Sequence, residues 1–112
     1  MIIAIPVFNN ELDIHFGHCK KFALVTVNLK EKKILSREDV EAPTHQPGLL
    51  PPWLAKLGVN IVIAGGMGQR AKEIFDKHNI EVLIGAPQES IEKLVGACLK
   101  GTLKLGENCC DH

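Results

Sequence analysis

The chain has 112 residues, which is enough for one domain with one hydrophobic core, so a single domain over residues 1–112 is expected. Its 13 basic and 13 acidic residues cancel, and one Trp with four Phe gives little stacking surface, so nucleic acid is not an expected partner. No apolar run approaches the roughly 20 residues of a membrane span, and the N-terminus lacks a signal-peptide pattern, so a cytoplasmic protein without membrane contact is expected.

Short apolar runs predict five strands, at residues 2–7, 22–28, 34–40, 59–64 and 80–84. Three helices are predicted: one from Leu50 with Pro51 and Pro52 in its first turn, one after Gly68, and one beginning near Pro87. Gly58, Asn79 and Gly101 are expected to end them. Residues 1–101 form the predicted folded core, and residues 102–112 a tail.

The order of these elements predicts the fold class. The short charged turn at residues 30–33 favours an antiparallel pairing of the second and third strands. The later alternation of strand and helix requires parallel strands joined by right-handed crossovers. An α/β fold is therefore predicted, with a mixed sheet covered by helices.

Two clusters of soft or borderline metal ligands stand out. His15, His18 and Cys19 lie close together after the first strand, where Gly17 permits a bend, and they could bind one metal; a solvated polar loop is the alternative. Cys109, Cys110 and His112 close the chain beside Asp111, and they are either further ligands or an incidental frayed tail. The sequence has no C-x-x-C motif, which argues against a structural zinc site or a redox-active cysteine pair.

The turn Gly65-Gly66-Met67-Gly68 follows a buried strand and opens a helix, so its amides could bind an anion. A dinucleotide is disfavoured, because no carboxylate follows the next strand where the ribose-binding residue belongs. His45 is a candidate ligand if its loop reaches the same sheet edge. Cys98 is expected to pack in the core. No catalytic constellation is present in the sequence, so an enzyme is not expected.

Several motifs together resemble the dinitrogenase iron–molybdenum cofactor-binding family, which includes NifX-type and NifB-associated proteins. These motifs are the opening Ile2–Pro6 strand, His15-Phe16-Gly17, the Pro43–Gly48 loop with His45, and the stretch from Gly58 to Gly68. The similarity extends to about Gly101. It implies a ribonuclease-H-like three-layer fold with a five-stranded sheet in the order 3-2-1-4-5, strand 2 being antiparallel.

The resemblance also implies a function. It implies a carrier or chaperone of an iron–molybdenum or other metal–sulfur cluster, whose partner is a cofactor-assembly or acceptor protein. The implied site residues are His15, Phe16, Gly17, His45 and the turn Gly65, Gly66, Met67 and Gly68. A ribonuclease-H nuclease is disfavoured, because the first strand has no carboxylate for its metals. Two alternatives stay open: a phosphate- or nucleotide-binding module at the glycine turn, and a ligand-free protein–protein adaptor.

Overall fold

The computed structural model describes residues 1–14, 16, 19–43 and 48–106. The described part of the chain contains six strands and three helices. They are β1 (Ile2–Phe8), β2 (Glu11–Leu12), β3 (Lys21–Asn28), β4 (Lys33–Glu41), α1 (Leu50–Lys56), β5 (Ile61–Ala64), α2 (Gln69–Lys77), β6 (Glu81–Ile84) and α3 (Ile91–Lys100).

The strands form one mixed sheet in the order β4-β3-β1-β5-β6, with β2 paired to β1. The strand β1 is antiparallel to β3 and parallel to β5, and β5 is parallel to β6. The predicted mixed α/β architecture is confirmed. The assignment to the ribonuclease-H-like folds stays a prediction from the resemblance.

The alternation of side chains along the strands builds a core layer on each face of the sheet. On one face, Ile3, Ile5 and Val25 pack with Leu94 and Val95 of α3. On the other, a layer from β1, β3 and β5 packs with α1 and α2, through Ala4, Phe22, Val62, Leu54 and Phe75. The sheet is therefore the middle of three layers, with helices on both sides.

One strand of the sheet was not expected from the sequence. The prediction of five strands is wrong by one, because Glu11 and Leu12 pair with Phe8 and Val7 to form β2. The turn between β1 and β2 consists of Asn9 and Asn10, both with positive φ (52° and 63°). Two left-handed residues favour a two-residue hairpin, and Asn tolerates that conformation better than most side chains.

The ends of the helices agree with the sequence except at one point. Gly58, Asn79 and Gly101 all have positive φ where the helices end, as predicted. The third helix begins at Ile91 rather than near Pro87, because the side chain of Ser90 accepts a hydrogen bond from the Lys93 amide and caps it. No helix in the described ranges is both long and apolar enough to cross a membrane.

Candidate functional site

The carboxyl ends of the parallel strands β1, β5 and β6 share one edge of the sheet, which we call the site edge. The start of β3 and the end of β4 also lie at this edge, because Val7 pairs with Lys21 and Lys21 pairs with Glu41. The connecting segments 9–20, 42–49, 65–68 and 85–90 therefore start or end at this edge. In open α/β sheets, ligands bind outside the carboxyl ends of the strands, where connections run in opposite directions.

The glycine turn lies at the centre of the site edge. Gly65, Gly66 and Met67 are buried, whereas Gly68 is exposed and precedes the first residue of α2. A Cβ at Gly65 would lie 3.4 Å from Cγ2 of Ile14 and 3.5 Å from Cδ2 of Leu12. The residues after β1 are therefore packed directly on this turn, within van der Waals contact of the Cβ position at Gly65.

The space around Gly68 is open. No atom lies within 4 Å of the Cβ position at Gly68, and this residue has no side chain with which to cap α2. Since the first amides of a helix have no intrahelical acceptor, the start of α2 can donate to an anion or to water. Anion binding at this turn stays a prediction from the sequence.

Phe16, which follows β2 in the chain, is a core residue. Its side chain is only 6% exposed, and its ring centroid lies 5.7 Å from those of both Phe22 and Phe75, in edge-to-face geometry. The ring therefore packs in the core. The prediction that Phe16 lines a cofactor site stays a prediction. His15, Gly17 and His18 lie outside the described residues.

Cys19 is buried beside this aromatic cluster. Its thiol donates a hydrogen bond to the Phe16 carbonyl oxygen, with an Sγ–O distance of 3.2 Å. Burial, with a smaller contribution from the charge of Asp13, raises the pKa of Cys19 to about 12. The thiol is therefore protonated at neutral pH, and binding a metal would require it to lose this proton.

A pocket of about 390 Å³ opens next to Cys19, between Lys20 and Lys21 on one side and Glu41, Ala42 and Pro43 on the other. The Ala42 amide donates to the Lys20 carbonyl oxygen at 2.8 Å, so the start of β3 and the end of β4 are joined here. His45 lies outside the described residues, but Pro43 is only two positions before it. The pocket therefore adjoins both histidine-bearing segments along the chain.

The described residues contain no cluster of metal-binding side chains. No group of three or more His, Cys, Asp or Glu side chains suited to a metal occurs within the described ranges. Cys98 packs at the margin of the core on the α3 face, in accord with its predicted core role. Cys109, Cys110 and His112 lie outside the described residues.

Several residues next to the glycine turn and the pocket could not be identified from sequence motifs. Leu12 and Ile14 contact the glycine turn, and Glu41 and Ala42 line the pocket. None of these residues belongs to a recognisable ligand motif. The signal that could have placed Glu41 and Ala42 is the strand pairing itself, because the hairpin of β3 and β4 puts residues 21 and 41 side by side.

The fold is a small three-layer α/β domain, with a glycine turn and a pocket beside Cys19 at one edge of its sheet. A sequence model of the family described as dinitrogenase iron–molybdenum cofactor matches residues 1–101. The chain belongs to this family. This confirms the resemblance drawn from the His-Phe-Gly and glycine-turn motifs.

Three relatives illustrate the similarity. An uncharacterized protein of Methanocaldococcus jannaschii, MJ0580, is 33% identical over 108 residues, which cover 93% of this chain and 90% of that protein. The crystal structure of the protein PH0822 has a TM-score of 0.86 at 30% identity, covering 94% of both chains. The apo form of the orange protein from Desulfovibrio gigas shares the fold, with a TM-score of 0.73 at 20% identity, covering 96% of this chain and 93% of that one.

Proposed function

We propose that this protein binds an iron–molybdenum or related metal–sulfur cluster as cargo at the site edge and passes it to an assembly or acceptor protein. The observation that supports the proposal is that described residues next to the family's motifs meet at this edge. Ile14, which precedes His15, packs against Gly65, and Lys20 is hydrogen-bonded to Ala42 near the His45 segment. Family membership supplies the class of cargo.

The residues at this edge suit such a cargo. Neutral imidazoles of His15, His18 and His45 would be the metal ligands, since imidazole binds iron and copper readily. Amides of the glycine turn would donate hydrogen bonds to sulfide or oxo groups of the cluster. Lys20 and Lys21 line the pocket and would offset negative charge on the cargo. Cys19 would join the ligands only by giving up its hydrogen bond to Phe16.

The cargo would be bound and released without chemical change, so the proposed role is not enzymatic. The orange protein of Desulfovibrio gigas, whose structure is of the apo form, shares this fold. We place the protein in the cytoplasm, where thiols stay reduced and available to bind metals.

The test is a titration of the oxygen-free protein with Fe(II) and tetrathiomolybdate, which together form an anionic iron–molybdenum–sulfur species whose iron can accept imidazole ligands. His15→Ala and His45→Ala should each weaken binding by about tenfold or more, because each removes a ligand. His78→Ala is the matched control, since His78 ends α2 at the opposite edge of the sheet. Affinity should fall between about pH 7.5 and pH 5.5, because protonated imidazole cannot bind a metal.

Two results would overturn the proposal. One is the absence of binding of this iron–molybdenum–sulfur species to the unmodified protein. The other is equal affinity in the His15→Ala, His45→Ala and His78→Ala variants. If inorganic phosphate competed fully and Arg70→Ala alone weakened binding, the glycine turn would instead be a phosphate site.

A further inference from the structure

Exposed apolar side chains lie at the edge of the sheet opposite the site edge, where β1 begins and the hairpin of β3 and β4 turns. The Val27 amide, near the end of β3, donates to the Met1 carbonyl oxygen at 2.9 Å, and Val27 pairs with Ile34 of β4. Four residues that are neighbours along and across these strands have side chains between 41% and 60% exposed: Met1, Leu29, Ile34 and Leu35. We call these four residues the hairpin patch.

An irregularity in the strand pairing places the most exposed member of the patch. Thr26 of β3 pairs with Ser36, but the next residue of β3 pairs with Ile34. Leu35 is therefore an extra residue in β4, and a bulge of this kind bends a strand and re-aims a side chain. Single exposed apolar residues are ordinary on protein surfaces, whereas adjacent ones mark contact surfaces.

The turn beside the hairpin patch is basic. Lys30, Lys32 and Lys33 are all exposed. The carboxylate of Glu31 accepts a hydrogen bond from the Asn28 side-chain amide at 3.2 Å and lies 3.5 Å from the Nζ atom of Lys33. Lys30 and Lys32 therefore give this turn an excess of positive charge, although the whole chain has equal numbers of basic and acidic residues.

This chemistry selects the kind of partner. An apolar centre with a basic rim complements a protein surface that has an apolar centre and an acidic rim. A second copy of this chain fits poorly, because a twofold contact uses the same surface twice and would place Lys30 and Lys32 against the same lysines. Anionic membranes are recognised by clusters of roughly four to eight basic residues, whereas residues 30–33 have three lysines and one glutamate.

We propose that the hairpin patch, with Lys30 and Lys32 at its rim, is a docking surface for a protein that presents acidic and apolar side chains. Four exposed apolar residues cover far less than the roughly 800 Å² per partner of a standard interface, so the complex forms and separates readily. The patch lies at the opposite edge of the sheet from the proposed cargo site. Docking therefore leaves the cargo site open, and both sites can be occupied at once.

The test selects peptides from a random library displayed on phage, with the full-length, metal-free protein as the target. Enriched peptides should combine Asp or Glu with Leu, Ile or Phe. Fluorescence anisotropy then measures the affinity of the most enriched peptide for each variant. Lys30→Glu/Lys32→Glu should weaken binding by about tenfold or more, because it reverses the charge of the rim. Lys77→Glu/Lys93→Glu is the matched control, since it makes the same change in charge at exposed lysines of α2 and α3.

A second pair of variants tests the apolar centre of the patch. Leu35→Ser should weaken binding of the same peptide by about fivefold or more, because it removes apolar area from the contact. Leu105→Ser is the matched control, as this side chain is 45% exposed and lies outside the hairpin. All the substituted side chains are exposed, so the variants should fold, and circular dichroism checks this.

The inference is overturned if no peptide is enriched, if the enriched peptides lack acidic residues, or if the hairpin variants bind as tightly as their controls. Failure to enrich a peptide, together with binding to phosphatidylglycerol vesicles that Lys30→Glu/Lys32→Glu abolishes, would assign the patch to a membrane surface instead. Because the target carries no metal, none of these outcomes depends on whether the protein binds the proposed cargo.

Discussion

The Cys19 thiol lies in the core beside Phe16, where burial stabilises its neutral form. In the unfolded chain the same thiol ionises near its ordinary pKa of 9.0, whereas in the folded protein its pKa is about 12. Above pH 9 the unfolded state therefore binds fewer protons than the folded state. The contribution of Cys19 to stability is present below pH 9 and is lost as the pH rises toward 12.

This makes a prediction for Cys19→Ala. The free energy of unfolding of the unmodified protein should fall more steeply between about pH 9 and pH 11 than that of the variant, because the variant has no thiol to ionise. Urea denaturation across this pH range measures both slopes. Cys98→Ala is the control, as Cys98 is less buried. Parallel curves for the unmodified protein and Cys19→Ala would contradict the burial of this thiol.

At the scale of single residues, the sequence identified candidate ligands but not which side chains are buried. The His15–Cys19 cluster belongs to the connection between β2 and β3. It could not show that Phe16 and Cys19 point into the core, because a loop has no regular period from which to infer burial. Their positions depend on contacts with Phe22 and Phe75, which are distant in sequence.

At the scale of elements, Arg37 connects three parts of the fold. From the edge strand β4, it donates to Asp39 at 2.8 Å, to the side-chain oxygen of Asn10 at 2.6 Å and to Glu92 of α3 at 3.0 Å. Asn10 belongs to the β1–β2 turn, and its backbone carbonyl also accepts from the Ile91 amide. The network holds the hairpin and the start of α3 against the edge of the sheet.

Arg37→Ala should lower the free energy of unfolding by about 1 kcal/mol, because it removes several charge-assisted hydrogen bonds that are only partly exposed to solvent. Lys33→Ala is a suitable control, since Lys33 pairs only at 3.5 Å with Glu31, and both side chains are more than half exposed. Urea denaturation at low and high salt compares the two variants. Equal, negligible losses would show that the network contributes nothing to stability.

The elements differ in how well the sequence predicts them. The five longer strands and all three helices were predicted from apolar pattern and from the positions of glycine and proline. β2 was missed because two residues cannot display an alternation, although Asn9-Asn10 is typical of a tight hairpin turn. The start of α3 was misplaced because Pro87 and Ser90 are both common at helix starts.

At the scale of the whole molecule, the strand directions bring four connecting segments to one edge. Pairings such as Val7 with Lys21 and Ala4 with Val62 join residues far apart in sequence. Local patterns therefore predicted the elements and the candidate ligands, and the family resemblance supplied the expected arrangement. The contact of Gly65 with Ile14 and the hydrogen bond from the Gly106 amide to the Gly85 carbonyl oxygen depend on tertiary packing, which no local motif encodes.

The central claim is that this edge carries a metal–sulfur cargo, and the most direct measurement is the content of metal and acid-labile sulfide in protein purified without oxygen. A transition metal and sulfide are expected in fixed proportion to the chain, with less of both in the His15→Ala and His45→Ala variants. Protein free of metal, which also takes up no iron, copper or tetrathiomolybdate, would contradict the account and favour an adaptor that binds only other proteins.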